Sequence, residues 1–192
     1  YVENTADFGY YDICLTVVFL LIPFVTLQLR DGAFRFLLDS PSLAHRQKVV
    51  STTYKILGST LLLSAVITFG VATIFSVPYI WYVLALLLAM SIQEVVSQVF
   101  RGLGNTKAFV SVGIISAFFI GLLSVVFVVW MGMGIKGVFV ANILARILAI
   151  VAVELKVQTL RHYFCIRISG KGIALDIIKY TLPLLPGSLC WW

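Results

Sequence analysis

The chain has 192 residues, of which 61% are hydrophobic and only 11% charged, and its mean hydropathy is +1.06. Soluble domains are about half apolar and about a quarter charged, so a water-soluble fold could not bury this much apolar surface. The net charge of +6 would suggest nucleic acid in a soluble protein, but in membrane proteins basic residues collect in cytoplasmic loops. The composition therefore predicts a polytopic membrane protein without a nucleic-acid partner.

Five stretches of the chain are apolar over the roughly 20 residues that a membrane-spanning helix needs. They are uninterrupted, whereas the strands of a membrane barrel would be about ten residues long and alternating. We therefore predict an all-α transmembrane helix bundle, with a sixth helix that begins near Tyr180. The predicted helices cover residues 10–38, 53–75, 78–100, 108–131 and 137–155.

The first predicted helix is long, because about 29 residues at 1.5 Å each exceed the ~30 Å hydrocarbon core of a bilayer. Its tail is amphipathic and places Asp31 and Arg35, and then Arg35 and Asp39, four residues apart. Such pairs support an exposed helix. We expect this end to project beyond the membrane or to line the mouth of a cavity.

The connection between the third and fourth predicted helices has a polar centre. Asn105 and Thr106 both lie there, and either is a candidate N-cap for the following helix because a short polar side chain can accept a bond from a free backbone N–H. This predicts a helix start directly after the connection.

Basic residues are unevenly divided among the predicted loops, which hold 5, 0, 2, 1 and 5 of them in chain order. Because cytoplasmic loops are enriched in Lys and Arg, the first, third and fifth loops are expected in the cytoplasm. Residue 1 is then expected on the periplasmic side, which predicts one further helix before it. The last basic segment, 157–179, either recognises an anionic lipid or lies along the headgroups as a linker.

Ionisable residues inside spanning helices are costly and tend to mark substrate or ion pathways. In the third predicted helix, Glu94, Gln98 and Arg101 share a face because they are four and three residues apart. In the fifth, Asn142 and Arg146 are four residues apart near the middle of the span. A central arginine costs about 2.5–3.5 kcal/mol on insertion scales, so this face is predicted to point into the bundle or a wet cavity.

Two interpretations of Arg146 are open. In the first, a structural partner such as Glu94 neutralises it. In the second, Arg146 and Arg35 give a cavity a positive field for an anionic substrate, since a planar guanidinium matches phosphate oxygens through paired bonds. Arg35 has two acidic neighbours on its own helix, which favours a structural role for that residue.

The residues of common catalytic and metal-binding motifs are scattered. The three cysteines have no C-x-x-C spacing, and His45 and His162 lie far apart in basic segments. The loops contain neither a catalytic carboxylate pair nor a nucleophile–histidine pairing. We therefore predict that the chain is not an enzyme and uses neither a metal nor another cofactor.

Four segments carry a resemblance to a known family. They are FGYYDICLTVVFLLIPFVTLQLRDGAFRFLLDS (8–40), FRGLGNTKAFVSVGI (100–114), MGIKGVFVANILARI (133–147) and IIKYTLPLLPGSLCWW (177–192). In this order they resemble the first outer loop with the second helix, the fourth-to-fifth connection, the turn into the sixth helix and the opening of the seventh helix of bacterial polysaccharide flippases. These are O-antigen or repeat-unit translocases of the polysaccharide transporter family, within the MOP superfamily.

The resemblance implies the first lobe of a two-lobe transporter, truncated at both ends. Residues 1–156 would form the N-terminal lobe, 157–179 a cytoplasmic inter-lobe linker and 180–192 the start of the second lobe. The implied function is translocation of undecaprenyl-diphosphate-linked oligosaccharide across the bacterial inner membrane by alternating access, with H⁺ or Na⁺ as a coupling ion. Position and chemistry select the candidate substrate-binding residues: Arg146, Asn142, Arg35, Glu94, Gln98 and Arg101.

Two other function classes stay open at this point. The first is a MATE-type exporter of organic cations, in which Glu94 would be the functional residue and Arg146 its partner. The second is a membrane-embedded enzyme of glycan assembly, whose active site would have to lie outside this chain.

Overall fold

A computed structural model describes residues 5–40, 42–74, 78–165 and 171–190. All regular structure in these ranges is helical, and five helices are long and apolar enough to cross a membrane. The protein is therefore an all-α, multi-pass membrane protein, as predicted. The helices are α1 (Thr5–Thr26), α2 (Leu29–Leu38), α3 (Leu43–Ile74), α4 (Ile80–Gly102), α5 (Thr106–Ser124, continued by a π-helical turn over Val125–Trp130), α6 (Gly134–Val157), α7 (Thr159–Tyr163), α8 (Lys171–Thr181) and α9 (Leu184–Leu189).

The predicted single helix over residues 10–38 is wrong, because the chain breaks between α1 and α2. Leu27 and Gln28 have φ values of 49° and 53°, a left-handed conformation that residues with a β-carbon rarely adopt. Pro23, inside the last turns of α1, cannot donate a backbone hydrogen bond, which weakens the helix there. Burial of the Gln28 and Leu29 side chains then holds the break in place.

The ion pairs predicted within this segment are also wrong. Among the residues that the structure describes, Arg35 forms no ion pair with Asp31 or Asp39, and its guanidinium carbon lies 4.3 Å from the centre of the Tyr180 ring. Asp31 contacts Arg30 instead, with 3.3 Å between Arg30 Nε and the carboxylate. Packing of α8 on α2 brings the Tyr180 ring within reach of Arg35, and sequence spacing alone could not show this.

The contact between α2 and α8 depends on a glycine. A β-carbon at Gly32 would lie 2.5 Å from the Thr181 methyl carbon and 3.3 Å from Ile177 Cγ2. Real β-carbons do not approach another carbon that closely, so only glycine permits this packing distance. The predicted linker 157–179 thus contains two helices, α7 and α8, and α8 is attached to the bundle; residues 166–170 of that linker lie outside the described residues.

The central helix of the bundle is α4, which contacts α1, α2, α3, α5 and α6. Towards its beginning it packs with α1 and α6 around Tyr11 and Phe139, whose ring centres are 5.0 Å apart. By contrast, α3 and α5 expose many apolar side chains, including Val66 and Phe118. In a membrane protein such surfaces face lipid, so α3 and α5 lie at the outside of the bundle and α4 lies within it.

The remaining helix boundaries follow the predictions closely, with two exceptions. The predicted sixth helix does not begin near Tyr180, because α8 runs through that residue and ends at Thr181, and α9 begins at Leu184. The bounds of α4, α5 with its π-helical turn, and α6 agree with the predicted spans within three residues. In contrast, α3 begins at Leu43, ten residues before the predicted start. Its polar first turns are held by α7, since the Ser51 hydroxyl donates to the Tyr163 carbonyl at 3.3 Å and accepts from the Cys165 N–H at 2.9 Å.

The start of α5 carries the predicted cap. Asn105 Oδ1 accepts a hydrogen bond from the backbone N–H of Ala108 at 3.1 Å, so Asn105 rather than Thr106 is the N-cap. We expect Asn105→Ala to lower the free energy of unfolding by about 1 kcal/mol, because one N–H of the first turn loses its acceptor. Thermal unfolding in detergent measures this. Asn105→Ser keeps an acceptor and should lose much less; an equal loss in both variants would contradict the cap.

Candidate functional site

A cavity of about 510 Å³, open on one side, lies between α1, the start of α2, the middle of α4 and α6, and α9. Its wall is unusual for a membrane protein because polar and charged side chains make up much of it. The polar and charged residues of the wall are Gln28, Arg30, Gln93, Glu94, Ser97, Arg146 and Ser188. Intramembrane groups of this kind are a functional-site hypothesis by default.

One arginine of the cavity is paired with a carboxylate. The break after α1 turns the first residues of α2 towards α4, so that Arg30 Nη1 lies 2.6 Å from Glu94 Oε1. The two side chains are 42% and 25% exposed, respectively, which places this ion pair at the wall of the cavity and within reach of water. The charge of Glu94 is therefore compensated by Arg30.

The other arginine has a neutral partner. Arg146 Nη1 donates to Gln93 Oε1 at 2.7 Å, and in the described part of the chain no carboxylate lies within ion-pair distance of it. Its buried Nε has no hydrogen-bond partner among the described residues. The suggestion that Glu94 neutralises Arg146 is thus wrong, because Arg30, from the turned segment, occupies Glu94 instead. Arg146 brings an uncompensated positive charge to the cavity.

The predicted site residues separate into two groups. Glu94 and Arg146 line the cavity, and Asn142 lies one turn before Arg146, buried, with its amide donating to the Val138 carbonyl at 3.1 Å. Gln98, Arg35 and Arg101 lie outside the described lining of the cavity.

Arg101 does not line the cavity, although it was predicted to share a helix face with Glu94. Its guanidinium carbon lies 4.6 Å from the centre of the Phe34 ring and 5.6 Å from that of Phe109. Such cation–π contacts hold an arginine at the end of a spanning helix, where it can reach the interface. Arg101 is therefore better suited to anchor α4 than to bind a ligand in the cavity.

The two residues that hold Glu94 and Arg146 were not among the predicted ones. Arg30 is one of the five bases of the first predicted loop, and Gln93 does not belong to the predicted face of Glu94, Gln98 and Arg101. A usable sign was present for Gln93, which is a polar residue directly before Glu94 and follows an apolar run in a spanning helix. The position of Arg30 depends on the break at Leu27 and Gln28, for which hydropathy gives no indication.

Comparison of the chain with protein-family models, with curated proteins and with solved structures gives no significant match in any of the three. The class of the protein, a multi-pass helical membrane protein with a polar internal cavity, follows from its own residues.

Proposed function

We propose that the chain belongs to a transporter whose cavity accepts the phosphorylated headgroup of a lipid-linked substrate. The observation that carries this proposal is Arg146, an arginine in the middle of a spanning helix that lines a cavity and, among the described residues, has only a neutral hydrogen-bond partner. A positive charge inside a bilayer is costly unless an anion compensates it. A transported anion would supply that compensation for the part of the cycle in which it is bound.

A phosphate or diphosphate group suits this position. A guanidinium has five N–H donors in a planar fork, and Gln93 engages one of them at Nη1 of Arg146. Paired bonds from such a fork to phosphate oxygens are strong and directional. With the resemblance to polysaccharide flippases, this favours an undecaprenyl-diphosphate-linked oligosaccharide moved across the bacterial inner membrane, with the chain as part of the first lobe of a MOP-type transporter.

The test is translocation by the protein reconstituted in liposomes. A fluorescent prenyl-diphosphate sugar is placed in both leaflets, and the fraction protected from a membrane-impermeant quencher is followed with time. We expect the protein to accelerate exchange between leaflets at least tenfold over protein-free liposomes. A prenyl-linked sugar without phosphate is the matched substrate control. If the lipids with and without phosphate exchanged equally fast, the protein would be a non-specific scramblase and the proposal would be refuted.

An exporter of organic cations is the second candidate, and one observation favours it. Glu94 Oε2 is buried and has no hydrogen-bond partner among the described residues, so a cation could approach it if Arg30 moved away. Ethidium efflux from the same liposomes distinguishes the two functions. Two results together would replace the flippase proposal with the exporter. The wild-type protein would export ethidium and Glu94→Gln would not, and the wild-type protein would leave the prenyl-diphosphate sugar in its leaflet.

A further inference from the structure

A chain of hydrogen bonds connects Arg146 with the lipid-facing helix α5. Arg146 Nη1 donates to Gln93 Oε1 at 2.7 Å, and Gln93 Nε2 lies 3.1 Å from Ser116 Oγ. The Ser116 hydroxyl in turn lies 3.0 Å from the carbonyl oxygen of Gly113, one turn earlier in α5. Three helices, α6, α4 and α5, are therefore joined by one polar path.

The donors and acceptors along this path permit one arrangement of the Gln93 amide. The Ser116 hydroxyl has a single proton, which it donates to the Gly113 carbonyl, so towards Gln93 it can only accept. Gln93 must then turn its NH₂ group to Ser116 and its carbonyl oxygen to Arg146. An arginine has only donors, so this orientation satisfies both ends. Ser116, 5% exposed, holds Gln93 in the orientation that suits Arg146.

The neighbouring position on α4 shows the opposite chemistry. Gln93 and Glu94 each hold one arginine of the cavity, and both bonds have similar lengths, 2.7 Å and 2.6 Å. Glu94 cancels the charge that it binds, whereas the amide of Gln93 fixes the guanidinium and leaves its charge in place. Two side chains of nearly the same size, an amide and a carboxylate, thus separate an arginine whose charge is available from one whose charge is neutralised.

We propose that Gln93 is a positioning residue that gives the cavity its preference for anions, because it orients Arg146 without neutralising it. This inference rests on the proposed function, since it concerns how the same cavity selects a phosphorylated headgroup. Gln93 acts through Arg146, and Ser116 acts through Gln93. A carboxylate at position 93 would form an ion pair with Arg146 and compete with the phosphate for its donors.

The experiment is isothermal titration calorimetry of the detergent-solubilised protein with farnesyl diphosphate, and with farnesol as the uncharged probe. Gln93→Glu is expected to weaken farnesyl diphosphate binding about 10- to 100-fold, the effect of losing one charge-assisted hydrogen bond. Farnesol binding should stay within twofold of the wild type. If Gln93 had a purely structural role, Gln93→Glu would weaken the binding of both probes, and that result would overturn the inference.

Two further variants keep the test decisive if Gln93→Glu folds poorly. The exchange variant Gln93→Glu/Glu94→Gln has the same net charge as the wild type but moves the carboxylate from Arg30 to Arg146, while Arg30 keeps Asp31 at 3.3 Å. It should bind farnesyl diphosphate as weakly as Gln93→Glu; wild-type affinity would show that only net charge matters. Ser116→Ala removes the acceptor that orients Gln93 and should weaken the diphosphate, and not farnesol, about threefold.

The outcomes for this inference and for the proposed function are distinguishable. Absence of farnesyl diphosphate binding by the wild-type protein would remove the proposed anionic substrate and the inference with it. Wild-type binding that is lost in Arg146→Gln but unchanged in Gln93→Glu, in the exchange variant and in Ser116→Ala would leave the proposed function standing and refute the role of Gln93 alone.

Discussion

Arg146→Gln is expected to lower the affinity of the protein for farnesyl diphosphate at least 30-fold, while the affinity for farnesol stays the same. Within the described part of the chain Arg146 is the cavity cation without a carboxylate partner, so its removal takes away the charge and the directional donors that a phosphate group would use. Charge-assisted hydrogen bonds contribute about 1.5–3 kcal/mol each, and 1.4 kcal/mol corresponds to a factor of ten in affinity. Calorimetric titration of both ligands measures the difference directly.

Two arginine variants serve as controls for this experiment. Arg146→Lys keeps the charge but has no planar fork, so an intermediate affinity is expected. Arg101→Gln removes a charge of the same sign from α4, but from a site between two aromatic rings outside the cavity lining. Its farnesyl diphosphate affinity should match that of the wild type. If Arg101→Gln weakened binding as much as Arg146→Gln, the effect would reflect the overall charge of the protein.

Arg30→Ala is expected to destabilise the protein by about 1–3 kcal/mol, and more than Glu94→Gln does. Removal of the arginine strands the Glu94 carboxylate, which is only 25% exposed, whereas Glu94→Gln leaves Arg30 an uncharged acceptor at the same position. Breaking a fully buried pair costs about 3–5 kcal/mol, and the partial exposure of Arg30 and Glu94 reduces that figure. Thermal unfolding in detergent, monitored by circular dichroism, shows which of the two variants is less stable.

The double variant Arg30→Ala/Glu94→Gln separates stranding of a charge from loss of packing. It should recover at least half of the stability that Arg30→Ala loses, because position 94 no longer holds a carboxylate, while Asp31, which also loses Arg30, is 44% exposed to water. Arg35→Ala is the matched control on the same helix, since Arg35 contacts the Tyr180 ring instead of a carboxylate, and it should cost no more than about 1 kcal/mol. A double variant as unstable as Arg30→Ala would show that the arginine stem, rather than its charge, supports α2.

The spanning helices were predictable because membrane insertion depends on the length and apolarity of one segment at a time. That is why the bounds of α4 and α6 were found within three residues. The break at Leu27 and Gln28 could not be found in the same way, because apolar residues continue on both sides of it and neither residue is a glycine. Its cause is tertiary, because Leu29 is buried in a cluster with residues of α3, α4 and α8, which are far away in sequence.

The cavity was predictable in part for a similar reason. Arg146 could be singled out because a central arginine opposes the insertion of its own helix, whatever its neighbours are. The partner of Arg146 could not be predicted, because Gln93 is 53 residues away and Glu94 is its direct neighbour in the same helical turn. The choice between them depends on Arg30, which reaches Glu94 across 64 residues only after the chain has turned. Single residues were thus predictable, whereas the pairing among them was not.

The length of α3 has a consequence for the depth of the cavity in the membrane. At 1.5 Å per residue its 32 residues extend about 48 Å, which is some 18 Å more than the hydrocarbon layer of a bilayer. Its first turns, which contact α2, α7 and α8, form the end with bases and buried polar residues, whereas the later turns expose apolar side chains. An upright α3 therefore places the short helices at the headgroup level. The Arg30–Glu94 pair and the Arg146–Gln93 bond are then held at nearly the same level of the bundle, because Glu94 and Gln93 are consecutive residues of α4 and differ by only about 1.5 Å along its axis.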